Sequence, residues 1–264
     1  MRLTRCFVPC ALEAGVSLVL PEAASGHIAR VLRLRSGDAL TLFDGRGGEF
    51  EATIDAIERR GVRVRLGIHH AIEREAPVAV RLLQCLVRAE RMDFIVQKAT
   101  ELGVASIVPV QSRHSVVRLD GSGSERRRQH WHGVAISACE QCGRNRVPEV
   151  QEPQTLERAC AEDAADAGAS VPGSTSPGHA RLLLDPAGSQ PLAGALAALR
   201  DATALTLLVG PEGGLRDDEI AFAQQHGFRS CTLGPRVLRA ETAPLAALAA
   251  VQALLGDFAA RDAR

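Results

Sequence analysis

The chain has 264 residues, 31 basic and 31 acidic side chains, a formal net charge of zero and 46% hydrophobic residues. That length holds one large domain or two ordinary ones, and the apolar share is ample for a core, which excludes a disordered chain. The balanced charge gives no global field for a nucleic-acid partner. No long apolar run marks a membrane span, and seven cysteines without framework spacing point to a reducing compartment.

The amino terminus lacks the apolar core of a signal peptide, so a cytoplasmic setting is expected. Lys98 is the only lysine, and nearly every other cation is arginine, a side chain suited to bidentate phosphate contact. Cys139 and Cys142 lie downstream of His130 and His132, but without a second CxxC they predict no metal site.

Residues 1–72 read as a small β-rich unit. A short apolar strand spans 16–20, and Ile28, Val31 and Leu32 fall on helical spacing within 25–34, with Ser25 as the cap. Strands follow over 39–43, then over the stretch where Phe50, Ala52 and Ile54 alternate with polar residues, then over Val62, Val64 and Leu66. This pattern predicts a barrel-like unit with one wet face. Arg2, Arg5, Arg30, Arg33 and Arg35 cluster in its first half, either as a solvated surface or as salt-sensitive phosphate contacts. Residues 73–77 read as a linker.

From Val78 strands and helices alternate, which predicts a parallel sheet covered by helices. A strand spans 78–87; Met92, Ile95, Val96, Ala99 and Leu102 mark a helix stopped by Gly103; the next strand spans 105–110. The strongest local positive charge follows, from Arg113, Arg118, Arg126, Arg127, Arg128, Arg144 and Arg146. Within it a helix from about residue 125 buries Trp131, Val134, Ala135, Ala138, Cys139 and Cys142 and ends at Gly143. Arg144, Asn145 and Arg146 stand just past that helix, placed for capping or for RNA contact, the latter being favoured. Residues 161–180, mostly Ala, Gly, Ser, Pro and acid, read as a surface insertion without chemistry.

Three apolar strands then end at Leu184, Val209 and Leu233. The second runs into Gly210-Pro211-Glu212-Gly213-Gly214-Leu215 before an acid-rich helix start at Asp217. The third runs into Gly234-Pro235-Arg236-Val237-Leu238-Arg239-Ala240-Glu241, where Thr242 and Pro244 open an Ala/Leu helix over 243–258. Neither loop is a dinucleotide fingerprint or a P-loop. Ligands of α/β sheets bind at the carboxyl ends of strands, where glycine admits close approach and helix starts offer free N–H groups. The last helix is apolar over much of its circumference, which calls for burial or a partner.

These two loops resemble the carboxyl-terminal signatures of the bacterial 16S ribosomal RNA uridine-N3 methyltransferases of the SPOUT class. His27 to Leu34, Gln97 to Gly103 and Glu140 to Pro148 are similar to the same family in the same order. The resemblance implies an α/β fold, with a SPOUT-type trefoil-knotted parallel sheet over 73–264 behind a PUA-like β-barrel over 1–72. It implies S-adenosylmethionine as cofactor, 16S rRNA in the small ribosomal subunit as partner, and a homodimer through the knot region; the residues themselves predict no metal and no membrane.

Cofactor contacts are expected at Leu184, Val209, Gly210, Glu212, Gly213, Leu233, Gly234, Val237, Leu238, Arg239 and Thr242. RNA contacts are expected at Arg5, Arg30, Arg33, Arg113, Arg144, Asn145 and Arg146. Arg144 and Arg239 are the expected catalytic cations, and Glu241 the acceptor of the N3 proton. Pairing of subunits would let Arg144 of one copy face the cofactor of the other. Ala240 departs from the Thr of the family and Arg216 from its Ser, with Asp217 expected to take over the cap. The rival readings are a non-catalytic RNA-binding assembly factor and a SPOUT methyltransferase acting on transfer RNA.

Overall fold

The computed structural model describes residues 4–115, 121–166 and 179–258. They group into two compact units, Met1–Glu75 with Ile136–Val147 and Ala76–Ala135 with Pro148–Arg264. The first unit thus takes in a later stretch of the chain, Ile136–Val147, beyond the expected boundary at 72/73. Arg2, Arg118 and residues 167–178 of the expected insertion lie outside the described residues.

The first unit contains β1 (Arg5–Phe7), β2 (Ser17–Val19), α1 (Glu22–Gly26) continued by a π-turn over His27–Val31, β3 (Ala39–Phe43), β4 (Glu49–Glu58) and β5 (Gly61–His70). Its sheet runs β1-β3-β4-β5-β2, with β1 parallel to β3 and the other pairs antiparallel. Among the described residues β1 and β2 are its two edges, so the expected barrel is a five-stranded sheet whose ends do not pair. The predicted alternation holds. Phe50, Ala52 and Ile54 of β4 and Val62, Val64 and Leu66 of β5 are buried in one cluster with Ile28.

Ser25 is not the helix cap. The helix begins at Glu22 after Pro21, and the buried Ser25 hydroxyl donates to Leu20 O and accepts from Val62 N, each at 2.9 Å. Its side chain ties the helix to β5 instead of closing the first turn.

The second unit follows with β6 (Ala79–Cys85), α2 (Ala89–Glu101), β7 (Val104–Gln111), α3 (Gly121–Cys142), β8 (Glu149–Val150), β9 (Gln154–Thr155), α4 (Leu156–Asp166), β10 (His179–Leu184), β11 (Gln190–Pro191), α5 (Leu192–Ala197), β12 (Ala204–Val209), α6 (Asp217–Gln225), β13 (Arg229–Thr232) and α7 (Thr242–Leu254). The end of α3, from Ile136, belongs to the first unit. The sheet runs β11-β13-β10-β12-β6-β7-β8, with β9 also on β7, and every pairing is parallel. Its strands are near-continuous apolar runs because both faces are covered, as parallel sheets require. Leu83, Val108, Leu183 and Leu208 pack against Leu156 and Ala159 of α4 and Ala223 of α6.

The expected insertion over 161–180 therefore begins as helix. Asp163 of α4 is fully buried and accepts from Arg181 Nε and Thr206 Oγ1, both at 2.7 Å, with Arg81 Nη1 at 3.6 Å. Polar groups inside three apolar strands need one shared counter-charge, and this acid supplies it. No helix among the described residues is long and apolar enough to cross a membrane.

Candidate active site

The register places Leu184 of β10 beside Val209 of β12 on one side and Cys231 of β13 on the other. Three loops thus leave adjacent strands at the same edge of the sheet. Between them lies a cleft of about 460 Å³ walled by Leu184, Val209, Leu215, Ile220, Leu233, Leu238 and Ala243, with Arg91, Asp185, Glu212, Arg236 and Arg239 as charged groups. Such a volume, mostly apolar with few polar groups, fits a nucleoside-sized ligand.

The first glycine loop is held from below. Its turn closes by Gly214 N donating to Pro211 O at 3.0 Å, with Gly214 at φ +69°. His114 Nδ1 lies 3.1 Å from Gly213 O and 3.2 Å from Gly214 O. A Cβ on Gly213 would stand 3.1 Å from His114 Cβ, so this glycine permits the approach of His114. Glu219, 4% exposed, accepts from Arg216 N at 2.9 Å and Arg113 N at 2.8 Å. The helix cap is therefore completed by Glu219, not by Asp217, in a capping-box contact back to the chain entering α6.

The second loop turns at Gly234, φ +94°, with Thr232 Oγ1 donating to Gly234 O at 3.1 Å. It ends where Thr242 N and Ala243 N both donate to Arg239 O, at 2.9 and 3.0 Å. Of the expected cofactor residues, Leu184, Val209, Gly210, Glu212, Leu233, Val237, Leu238 and Arg239 line the cleft. Gly213, Gly234 and Thr242 are not in its wall; they shape the loops. Val237 is 81% exposed and forms a rim, not a packed wall.

Glu241 stands at the start of α7, beside the wall residue Ala240. Its Oε2 is buried without a hydrogen-bond partner, and Arg91 Nη1 lies 3.5 Å away, near enough for attraction but without hydrogen-bond geometry. The same Arg91 nitrogen donates to Glu212 Oε1 at 3.3 Å. Arg91 sits in the first turn of α2, where the sequence carries no motif, and reading the sequence missed it.

The expected RNA contacts divide. Arg30, Arg33, Arg113 and Arg146 are exposed. Arg5, Arg144 and Asn145 are buried in the first unit, 7%, 4% and 0% exposed. Arg144 pairs with Glu75 through Nε, at 3.1 Å, and Nη2. Asn145 donates to Ile72 O at 2.6 Å and accepts from Arg5 Nη2 at 2.6 Å. Arg5 also pairs with Glu49, donates to Arg144 O at 3.1 Å, and lies over the Phe43 ring at 4.8 Å. These ion pairs and hydrogen bonds hold Arg5, Arg144 and Asn145 inside the first unit, whereas Arg30, Arg33, Arg113 and Arg146 face solvent. Among the described residues no cluster suited to a metal ion occurs.

A family model for the RNA methyltransferase domain matches residues 74–252, and one for the RNA methyltransferase PUA domain matches residues 20–67. The ribosomal RNA small subunit methyltransferase E of Mycobacterium bovis is 32% identical over 95% of this chain and 92% of its own. That of Bacillus subtilis is 30% identical over 85% of each. The enzyme of the same name from Neisseria gonorrhoeae, solved bound to S-adenosyl methionine, is 34% identical with a TM-score of 0.85, covering 98% of this chain and 100% of that one. A Legionella pneumophila protein solved with bound SAM has the same TM-score, 0.85, at 36% identity, covering 97% of this chain and 100% of that one.

Proposed function

This chain belongs to the RNA methyltransferase family, with the PUA domain of those enzymes ahead of the catalytic domain, and from that premise we propose that it methylates N3 of a uridine in 16S rRNA of the small ribosomal subunit, using S-adenosylmethionine. The observation that carries the reading is the cleft between the ends of β10, β12 and β13, walled by both glycine loops. Its volume and apolar wall suit an adenosine, and Glu212 suits a cationic ligand. When bound, the cofactor supplies a methyl activated on a sulfonium.

The residues of this chain do the rest. Leu184, Leu233 and Leu238 pack on the nucleoside and exclude water, which fixes donor and acceptor in line. The methyl bonds to N3 as its bond to sulfur breaks, and the N3 proton passes to a base. Glu241, next in sequence to the wall residue Ala240 but not itself in the wall, is that base; its buried Oε2, which has no hydrogen-bond partner, would turn toward the cleft to take the proton. Arg239, in the wall, stabilises negative charge gathering on the uracil carbonyl oxygens. Arg144, paired with Glu75 in the first unit, orders that unit and not the reacting base. Exposed Arg30, Arg33, Arg113 and Arg146 grip RNA phosphates. Val237, Leu254 and Phe258, 81%, 50% and 59% exposed, support pairing of two copies through the second unit, in a cytoplasmic enzyme.

Methyl transfer from labelled cofactor to small subunits, naked 16S RNA and transfer RNA, with nucleoside mass spectrometry, tests the proposal. N3-methyluridine from the subunits is expected, and Glu241→Gln should lose at least about a hundredfold in kcat. Product only in transfer RNA, or cofactor binding without transfer to any RNA, would overturn it.

A further inference from the structure

Arg91 is a charged side chain that reaches both glycine loops. It arrives from the first turn of α2, which follows β6, and β6 is the neighbour of β12 in the sheet. Its Nη1 meets Glu212 Oε1 at 3.3 Å, on the loop after β12, and Glu241 Oε2 at 3.5 Å, at the end of the loop after β13. All three side chains are mostly shielded, at 31%, 26% and 18% exposure, and Arg91 itself lines the cleft.

We infer that Arg91 is a positioning residue that clasps the two loops together across the cleft, setting the affinity for the cofactor and aiming Glu241. The inference rests on the proposed function and adds to it a residue for which that account has no role. Two carboxylates lie within 3.5 Å of one nitrogen, so without the guanidinium they face each other as like charges. Both loops turn at glycines of positive φ, Gly214 and Gly234, which hold them less firmly than a helix or strand would. A rim ion pair to a single carboxylate would matter little to either loop. A cation shared between loops couples them, and coupling is what a cleft closed from two sides needs. The open lone pair of Glu241 follows from the same geometry: Arg91 attracts that carboxylate without occupying it.

The test uses the full chain and measures cofactor binding by calorimetry and backbone hydrogen exchange without cofactor. Arg91→Met should weaken S-adenosylmethionine binding at least about tenfold with little change in melting temperature, and should speed exchange in both 210–216 and 233–241. Arg91→Lys should recover part of the affinity, and so should Glu212→Gln placed on Arg91→Met, because it removes one of the two repelling charges. KM for the cofactor should rise more than KM for RNA. Wild-type affinity in Arg91→Met, or faster exchange in one loop only, would overturn the clasp. A wild-type chain that binds no cofactor would instead overturn the proposed function, and exchange in the two loops would still decide whether Arg91 joins them.

Discussion

The cleft of the second unit and the charged interior of the first are made from opposite materials. Around the cleft the work falls to backbone and apolar side chains: three strand ends, two glycine turns and a wall of leucines, with Glu219 and His114 holding the first loop from behind. In the first unit Arg5, Glu49, Arg74, Glu75, Arg144 and Asn145 form one network, joined by Arg74 Nη1 donating to Glu49 Oε2 at 2.9 Å and to Gly143 O at 2.8 Å. The cleft keeps space for something absent from the chain. The network consumes its own charges. Perturbing each should therefore break different properties, ligand binding in one and folding in the other.

The largest effect is expected from filling the cleft. A Cβ on Gly210 would meet Leu215 at 3.4 Å, ordinary contact, and Gly210 is not among the positive-φ glycines, so Gly210→Ala should leave the empty chain nearly as stable as before. Gly210→Leu crowds Leu215, which also lines the cleft, and should weaken S-adenosylmethionine by at least about a hundredfold, roughly 2.8 kcal/mol. Calorimetry measures this, and melting of the first unit, followed in parallel, should not move. Equal affinity in the two variants would mean that the glycine loop does not face the ligand.

Next comes the network. Glu75→Ala strands the buried Arg144 guanidinium without its carboxylate, and should cost about 2–3 kcal/mol of unfolding free energy, less than for a fully enclosed pair because Glu75 retains some exposure. Adding Arg144→Met should restore much of that loss, since two apolar neighbours desolvate without penalty. Cofactor affinity should hold in both. A fall in affinity matching the fall in stability would show the two regions to be less separate than their materials suggest.

The contrast also explains what the sequence disclosed. Glycine turns and apolar runs were readable because geometry leaves few residues that can do their work: a strand buried on both faces must be apolar, and φ near +94° at Gly234 favours glycine. At Gly213 the structure adds a reason the sequence did not carry, the close approach of His114 behind the loop. Arginine carries no such constraint. Arg5, Arg144 and Arg146 look alike along the chain, and only the tertiary position of Glu49 and Glu75 decides which is buried.

Asp163 was missed for a related cause. Its surroundings read as a polar insertion, although Arg81 and Arg181, lying inside apolar strands, already demanded a buried acid somewhere. Ser25 was misread because a hydroxyl near a helix start bonds whichever amide is nearest, here Val62 N across the sheet. Arg91 had no signal at all; its partners are 121 residues or more away in sequence.

The smallest effect is one of pH, and it separates the regions by charge alone. Burial works to raise the pKa of Glu49, but hydrogen bonds from Arg74 and Arg5 outweigh it and hold the carboxyl down at about 2, against 4.5 ordinarily. Its folded value lies below its unfolded one, so the group favours folding fully above pH 4.5 and loses that contribution as pH falls from 4.5 towards 2. Denaturant unfolding across that window should show stability of the first unit declining, with a shallower slope in Glu49→Gln, which starts lower at neutral pH because it gives up both charge-assisted bonds. Its neutral amide has nothing to protonate there. Parallel slopes would mean that the arginines are satisfied elsewhere and that the network, like the cleft, is held chiefly by its packing.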